Sequence, residues 1–336
     1  MGASSTARIG SGPRWLTRAV GPGHKLAALL VLAAVLALGA LAGVAWSAGF
    51  GAVGHVLVHP QWAWIAAALG GELVAYVGYT FAYRAIARAE DGAELDTPKT
   101  AALVATGFAA FLQGGGFALD REALRRVGLS KREARERVLA LGMVEYAVLA
   151  PAAAVAALLV LLHVKGLGAG MTVPWIVGVP VGAGIALIAL RFRKRIEKSH
   201  GRRAALGHAL SALAFVLGLL RSRSAVAYAG IAVYWLGDIF CLWSTLHVFS
   251  AKPPPVAQLL VGYASGYALT RRALPLGGAG IVEVLLPFAL GWVGIPLPQS
   301  LLAVVLYRAI NLWLPMVPAL ASIPALARLE RGLANQ

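Results

Sequence analysis

The sequence predicts an all-α protein, a polytopic helical bundle lying within a membrane. Three observations predict it. Of 336 residues, 59% are hydrophobic and only 13% are charged, and the mean hydropathy is +0.75, outside the range of a soluble domain. Apolar stretches of about 20 residues, the length that crosses a bilayer, recur along the chain. The 30 Lys and Arg, which leave a net charge of +16, gather in the segments between those stretches. That placement is what membrane topology demands of cations, and no recognition module accompanies the charge, so nucleic acid is not an expected partner.

Residues 1–25 form a basic leader with Arg8, Arg14, Arg18 and Lys25. The first apolar run, 26–48, is longer than a secretory signal core of about 7 to 15 residues and is expected to stay as a helix. Further spans are expected at 62–83, 138–162, 173–190, 225–249 and 300–324, with shorter ones at 256–270 and 275–293. Trp62, Trp64 and Trp175 fall at expected outer ends and read as interfacial anchors.

Charge sets the orientation. Asp120 to Arg137 carries seven Lys/Arg and Arg191 to Arg223 carries nine. Residues 49–61 carry none, and the other outer segments carry only Lys165 or Lys252. If 100–119 crossed fully, one of the two most basic loops would lie outside. It is therefore expected to be a re-entrant hairpin, which leaves about eight crossings and both termini in the cytoplasm. Residues 191–224 become a cytoplasmic loop. Within it, Leu206, Leu210, Leu213, Leu217 and Leu220 recur at helical spacing between arginines, the pattern of a helix lying in the interface. The domain is expected over 26–324, with a tail at 325–336.

The segment with the most chemical content is LPLGGAGIVE, Leu274 to Glu283, followed by LYRAINLWLP, Leu306 to Pro315. Glu283 and Arg308 at a helix centre would each cost roughly 2.5 to 3.5 kcal/mol in lipid, so both should face protein or water. Gly277, Gly278 and Gly280 open the backbone at membrane depth, which is tolerated only against protein or a cavity. Arg271, Arg272 and Arg308 offer forked donors that suit phosphate. Tyr307 and Asn311 share the Arg308 helix. GGGFALD, Gly114 to Asp120, echoes GGAGIVE, Gly277 to Glu283, and a glycine follows each (Gly128, Gly294). Broken apolar segments at matching places in two halves are the pattern of an internal repeat around a midplane transport site. The repeat makes Asp120, Glu122 and Glu145 secondary candidates. Glu72 and Asp238 also lie within spans, and there the reading is of buried groups hydrogen-bonded between helices.

LPLGGAGIVE resembles the P-x-G-G-x-G-x-x-E signature of the lysylphosphatidylglycerol synthase transmembrane-region, or flippase-like, family. Gly294-Ile295-Pro296 and Tyr307-Arg308 stand where the family places a Gly-x-Pro turn and a Tyr-Arg helix. The first-half hairpin, FLQGGGFALDREALRR, departs from the family's usual Pro and Gly-Glu pair. The resemblance implies movement or presentation of a phosphate-bearing lipid between leaflets of a bacterial inner membrane. Membrane phospholipid or polyprenyl lipid is then the expected partner. A separate lipid-modifying enzyme and a second copy of the chain are left open. The synthase's soluble transferase domain has no counterpart before Gln336, so the chain is expected not to be the enzyme. One cysteine, Cys241, and seven scattered His give no disulfide and no metal site, and no cofactor is expected. Two other readings stand beside this one. A membrane-embedded transferase would use Asp120 and Glu122, and an ion-coupled solute transporter would use Glu145, Glu283 and Asp238.

Overall fold

A computed structural model of the chain describes residues 23–90, 92, 94–98, 100–101, 103–105, 116–163, 169–197, 202–221, 225–268 and 275–316. The helices in order are α1 (Gly23–Ala48), α2 (Phe50–Leu57), α3 (Ala63–Arg88), α4 (Gly116–Arg126), α5 (Lys131–His163), α6 (Ala169–Arg191), α7 (Arg193–Glu197) and α8 (Arg202–Arg221). They continue with α9 (Ala225–Val248), α10 (Val256–Tyr263), α11 (Val282–Trp292) and α12 (Leu297–Arg308). Among the described residues, six helices are long and apolar enough to cross a membrane: Ala28–Ala48, Ala63–Arg88, Lys131–His163, Ala169–Arg191, Ala225–Val248 and Leu297–Met316. They coincide with the six full-length spans expected from the sequence. The turn of the expected hairpin at 100–119 lies outside the described residues.

The bundle carries its apolar surface outward. Leu236 is 68% exposed while Asp238, two residues on, is fully buried. An aqueous domain would reverse that order, so the exposed faces are those that meet lipid, and the chain is a multi-pass membrane protein.

Helices α3 and α9 form the centre. Small residues line their contact: Ala68, Gly71, Ala75, Gly78 and Ala82 on α3, at alternating spacings of three and four, and Ala227, Gly230, Gly237, Cys241 and Ser244 on α9, where Tyr234 completes the same spacing. The helices run antiparallel, with Gly71 against Gly237 and Gly78 against Gly230. A Cβ added at Gly237 would lie 2.5 Å from the Ala75 nitrogen and the Gly71 oxygen, and one at Gly78 would lie 2.6 Å from the Gly230 oxygen. Lipid supplies no hydrophobic drive between helices, so this backbone-to-backbone approach is what gains the dispersion energy holding the pair. Two glycine motifs show how far spacing alone misleads. Gly262 and Gly266 of GYASG do press against α11, whereas Gly39 and Gly43 of GALAG face open space.

Helix α5 lies against α6, α8, α9 and α10, and α11 and α12 form a hairpin that α1 covers. A capping box starts α5 at Lys131, seven residues before the span expected at 138. The Ser130 hydroxyl accepts from the Glu133 N–H at 3.2 Å, and Glu133 accepts from the Ser130 N–H at 2.8 Å. A helix, α8, is present where the interfacial one is expected, and its packed face is Leu210, Ala212, Phe215, Val216 and Leu219. Leu206 and Leu220 of the expected leucine stripe are exposed, whereas Leu210 is buried. Trp175 corrects another expectation. It is 7% exposed, and its indole donates to Ser265 Oγ at 2.9 Å, so it joins α6 to the chain after α10 rather than anchoring at an interface.

The segments thought to repeat share a local design. Helices α4 and α11 each have 11 residues. Each ends at a glycine near φ +100°, 103° at Gly128 and 99° at Gly294. In each, the next N–H reaches back five residues, Leu129 to the Leu124 oxygen and Ile295 to the Leu290 oxygen. A new helix then follows.

Candidate functional site

The site is built where α3, α9, α11, α12 and the chain after α10 meet. Its first part is an ion pair: Arg308 Nε donates to Glu283 Oε1 at 2.8 Å, with the two residues 2% and 1% exposed. Two departures from regular helix put them together. Before α11, the chain winds through left-handed conformations, at Leu276 (φ 58°), Gly277 (φ 62°), Gly278 (φ 72°) and Gly280 (φ 85°). Glycine takes these angles at no cost, whereas Leu276 is strained there, and such strain collects at working sites. The winding turns two backbone groups inward. The Gly277 oxygen accepts from Arg308 Nη2 at 2.8 Å, and the Gly280 N–H donates to Glu283 Oε2 at 2.7 Å. Glu283 thus sits in the first turn of α11, where the helix dipole favours an anion.

The second departure is a pair of π-helical turns, Ala264–Ala268 after α10 and Ala309–Trp313 after α12. A π turn inserts one residue and re-aims its side chains. The first carries Tyr267 and the second Asn311. Tyr267 donates to Asn311 Oδ1 at 2.8 Å, and its ring lies 5.9 Å from the Arg308 guanidinium carbon.

Beyond this lies a carboxylate layer. Asp238 accepts from Asn311 Nδ2 at 2.7 Å, from Tyr307 at 2.9 and 3.0 Å, and from Tyr263. The same Asn311 nitrogen reaches Glu72 Oε2 at 3.3 Å. One amide therefore bridges the acids of α3 and α9. They can approach because Glu72 follows Gly71 and Asp238 follows Gly237, the two glycines in closest contact.

Five groups predicted from sequence converge here: the glycine loop, Glu283, Tyr307, Arg308 and Asn311. Arg271 and Arg272 lie outside the described residues. The secondary candidates do not join the cluster. Asp120 is buried beside Tyr83, and Tyr83 is eleven residues from Glu72, about 16 Å along α3. Glu122 is held by Arg125 at 3.2 Å on α4. Glu145 is buried one layer away, and its backbone oxygen accepts from the Trp235 indole, whose ring packs on Tyr263. Glu72 and Asp238, read as buried groups hydrogen-bonded between helices, are bonded in that way, and their partners place both in the cluster. Tyr263 and Tyr267 were not singled out, although two tyrosines four residues apart in a short apolar span share one helix face. Among the described residues, no group of three His, Cys, Asp or Glu is placed to hold a metal.

The cluster as it stands is closed. Glu283 occupies the position an anionic ligand would take, at the start of α11 and on the fork of Arg308. A sequence model of the family described as lysylphosphatidylglycerol synthase TM region matches residues 26–319. No curated protein matches the chain.

Proposed function

The chain belongs to the lysylphosphatidylglycerol synthase transmembrane-region family, a membrane-lipid family, and from that premise we propose that it moves a phosphate-bearing lipid between leaflets without modifying it chemically. The supporting observation is the sealed Arg308–Glu283 pair, gripped by the Gly277 oxygen and the Gly280 N–H. In this reading the lipid phosphate takes the Arg308 fork as Glu283 leaves it. The acyl chains stay in the bilayer, and the glycine loop and the two π turns supply the backbone freedom for the exchange. The membrane is a bacterial plasma membrane, with both termini in the cytoplasm where the basic segments lie. The lipid is a phospholipid or an aminoacylated phospholipid.

The test is transfer of fluorescent phosphatidylglycerol in proteoliposomes, read with a quencher confined to one leaflet. Arg308→Ala and Glu283→Gln should each abolish transfer. Removing one partner strands a buried charge, so the paired Glu283→Gln/Arg308→Gln variant is the control for folding. It should insert normally and still fail to transfer. Arg308→Lys should not restore transfer, since an ammonium lacks the planar fork. Wild-type transfer in the paired variant rejects this site.

A further inference from the structure

A second polar feature lies away from the central cluster. Near the C-terminal end of α3, a groove of about 390 Å³ opens beside α9. Phe81 and Val226 form its apolar wall, and Arg84, Arg88 and Glu94 form its polar side. It shares no lining residue with the Glu283–Arg308 site.

The groove matches the depth profile of a leaflet. Phe81 and Arg88 are seven residues apart on one helix, so roughly 10 Å separates the apolar wall from the outermost cation. Phe81 is 45% and Val226 57% exposed, and both lie on faces open to lipid. Arg84 is fixed in place: its Nε donates to the Leu95 oxygen at 2.8 Å and its Nη1 to Thr97 Oγ1. Arg88 is not fixed. Its contact with Glu94 is 3.7 Å long, with both side chains more than three-quarters solvent-exposed or nearly so, at 75% and 77%. An exposed pair at that distance holds weakly. Among the described lining residues, two cations face one carboxylate.

We infer that this groove binds the phosphodiester of a phospholipid from the adjoining leaflet, with its acyl chains against Phe81 and Val226. Arg84 supplies a preset wall and Arg88 closes on the phosphate. Glu94 competes for Arg88 and so weakens the grip. A lipid is favoured over a soluble anion because the cations stand directly above an apolar surface open to the bilayer. The inference needs the chain to be in a membrane but does not depend on lipid transfer at Arg308.

The experiment is native mass spectrometry of the full chain, released from detergent and titrated with phosphatidylglycerol or with diacylglycerol of the same acyl chains. One phosphatidylglycerol should bind above the background of non-specific adducts, and Arg88→Ala should weaken it about tenfold, the loss of one charge-assisted contact. Glu94→Gln should bind more tightly than the unaltered chain. Diacylglycerol should bind weakly to all three. Arg308→Ala should retain this lipid, which separates the groove from the transfer site. Equal phosphatidylglycerol binding by Arg88→Ala, Glu94→Gln and the unaltered chain would overturn the inference by reducing Arg88 to an ordinary interfacial arginine. Equal binding of diacylglycerol would do the same, and displacement of the lipid by equimolar inorganic phosphate would assign the site to a free anion instead.

Discussion

Asn311 joins three other side chains of the cluster, as Asp238 does. Its oxygen takes the Tyr267 hydroxyl, and its nitrogen serves Asp238 and Glu72. Asn311→Ala leaves those three groups without that partner. Losing a buried hydrogen-bond partner costs about 1 to 3 kcal/mol, so the variant should lose stability of that order in a thermal or denaturant melt of the detergent-solubilised protein. Asn311→Asp should be worse, because it places a third carboxyl between two others. An unchanged melt for Asn311→Ala would mean that Asp238 and Glu72 are satisfied without the amide. Type and depth made part of this layer readable: an arginine, an acid and an asparagine in apolar sequence are costly unless they meet one another. Glu72 and Asp238 were legible as buried groups bonded between helices, but not as the partners of one asparagine. Each is the sole acid of its helix, and only the antiparallel register of α3 on α9 brings them to one amide.

At the scale of elements, the glycines of α3 and α9 decide the outcome. Gly237→Ala puts a methyl 2.5 Å from backbone atoms that cannot yield, so the helices must separate. Overpacking of this kind costs typically 1 to 3 kcal/mol, and the loss should appear as a lowered melting temperature. Gly39→Ala, on the open face of α1, meets nothing within 4 Å and should melt like the unaltered chain or slightly above it. Similar melts for both would show that the seam is looser than described. The six long helices were legible because span length is set by bilayer thickness. The heptad of small residues was also available in the sequence, since Gly71 and Gly78 are seven apart, as are Gly230 and Gly237. The π turns and the left-handed path through Leu276 were not legible. Nothing in the residue types of ASGYA or AINLW specifies an inserted residue, and a leucine argues against positive φ. Those conformations are imposed by the Tyr267, Asn311 and Arg308 contacts around them.

For the whole molecule, the governing fact is that polar groups are inside and large apolar side chains outside. A cysteine introduced at Leu236, with Cys241 changed to Ser, should resist a charged, water-soluble maleimide and react only slowly with a membrane-permeant one, because lipid keeps the thiol from ionising. Reaction with the charged reagent would place α9 beside water and overturn the orientation of the bundle. The unaltered chain should resist both reagents until denatured, because its one cysteine, Cys241, is fully buried on the α3 seam. The same inside-out arrangement explains why composition alone was enough for the fold class: with so few charges, a chain of this length has no water-facing shell to offer.

Interlocked backbones along α3 and α9 have a mechanical corollary. Two rods that touch main chain to main chain cannot slide or tilt past each other without first unmeshing, so they behave as a single stator. Any rocking that exposes Arg308 to one side and then the other must pivot in the parts that lean on this stator, at the kink before α11 and the bulge after α12. In the proposed transfer, the two acids it carries would remain stationary while the arginine moved.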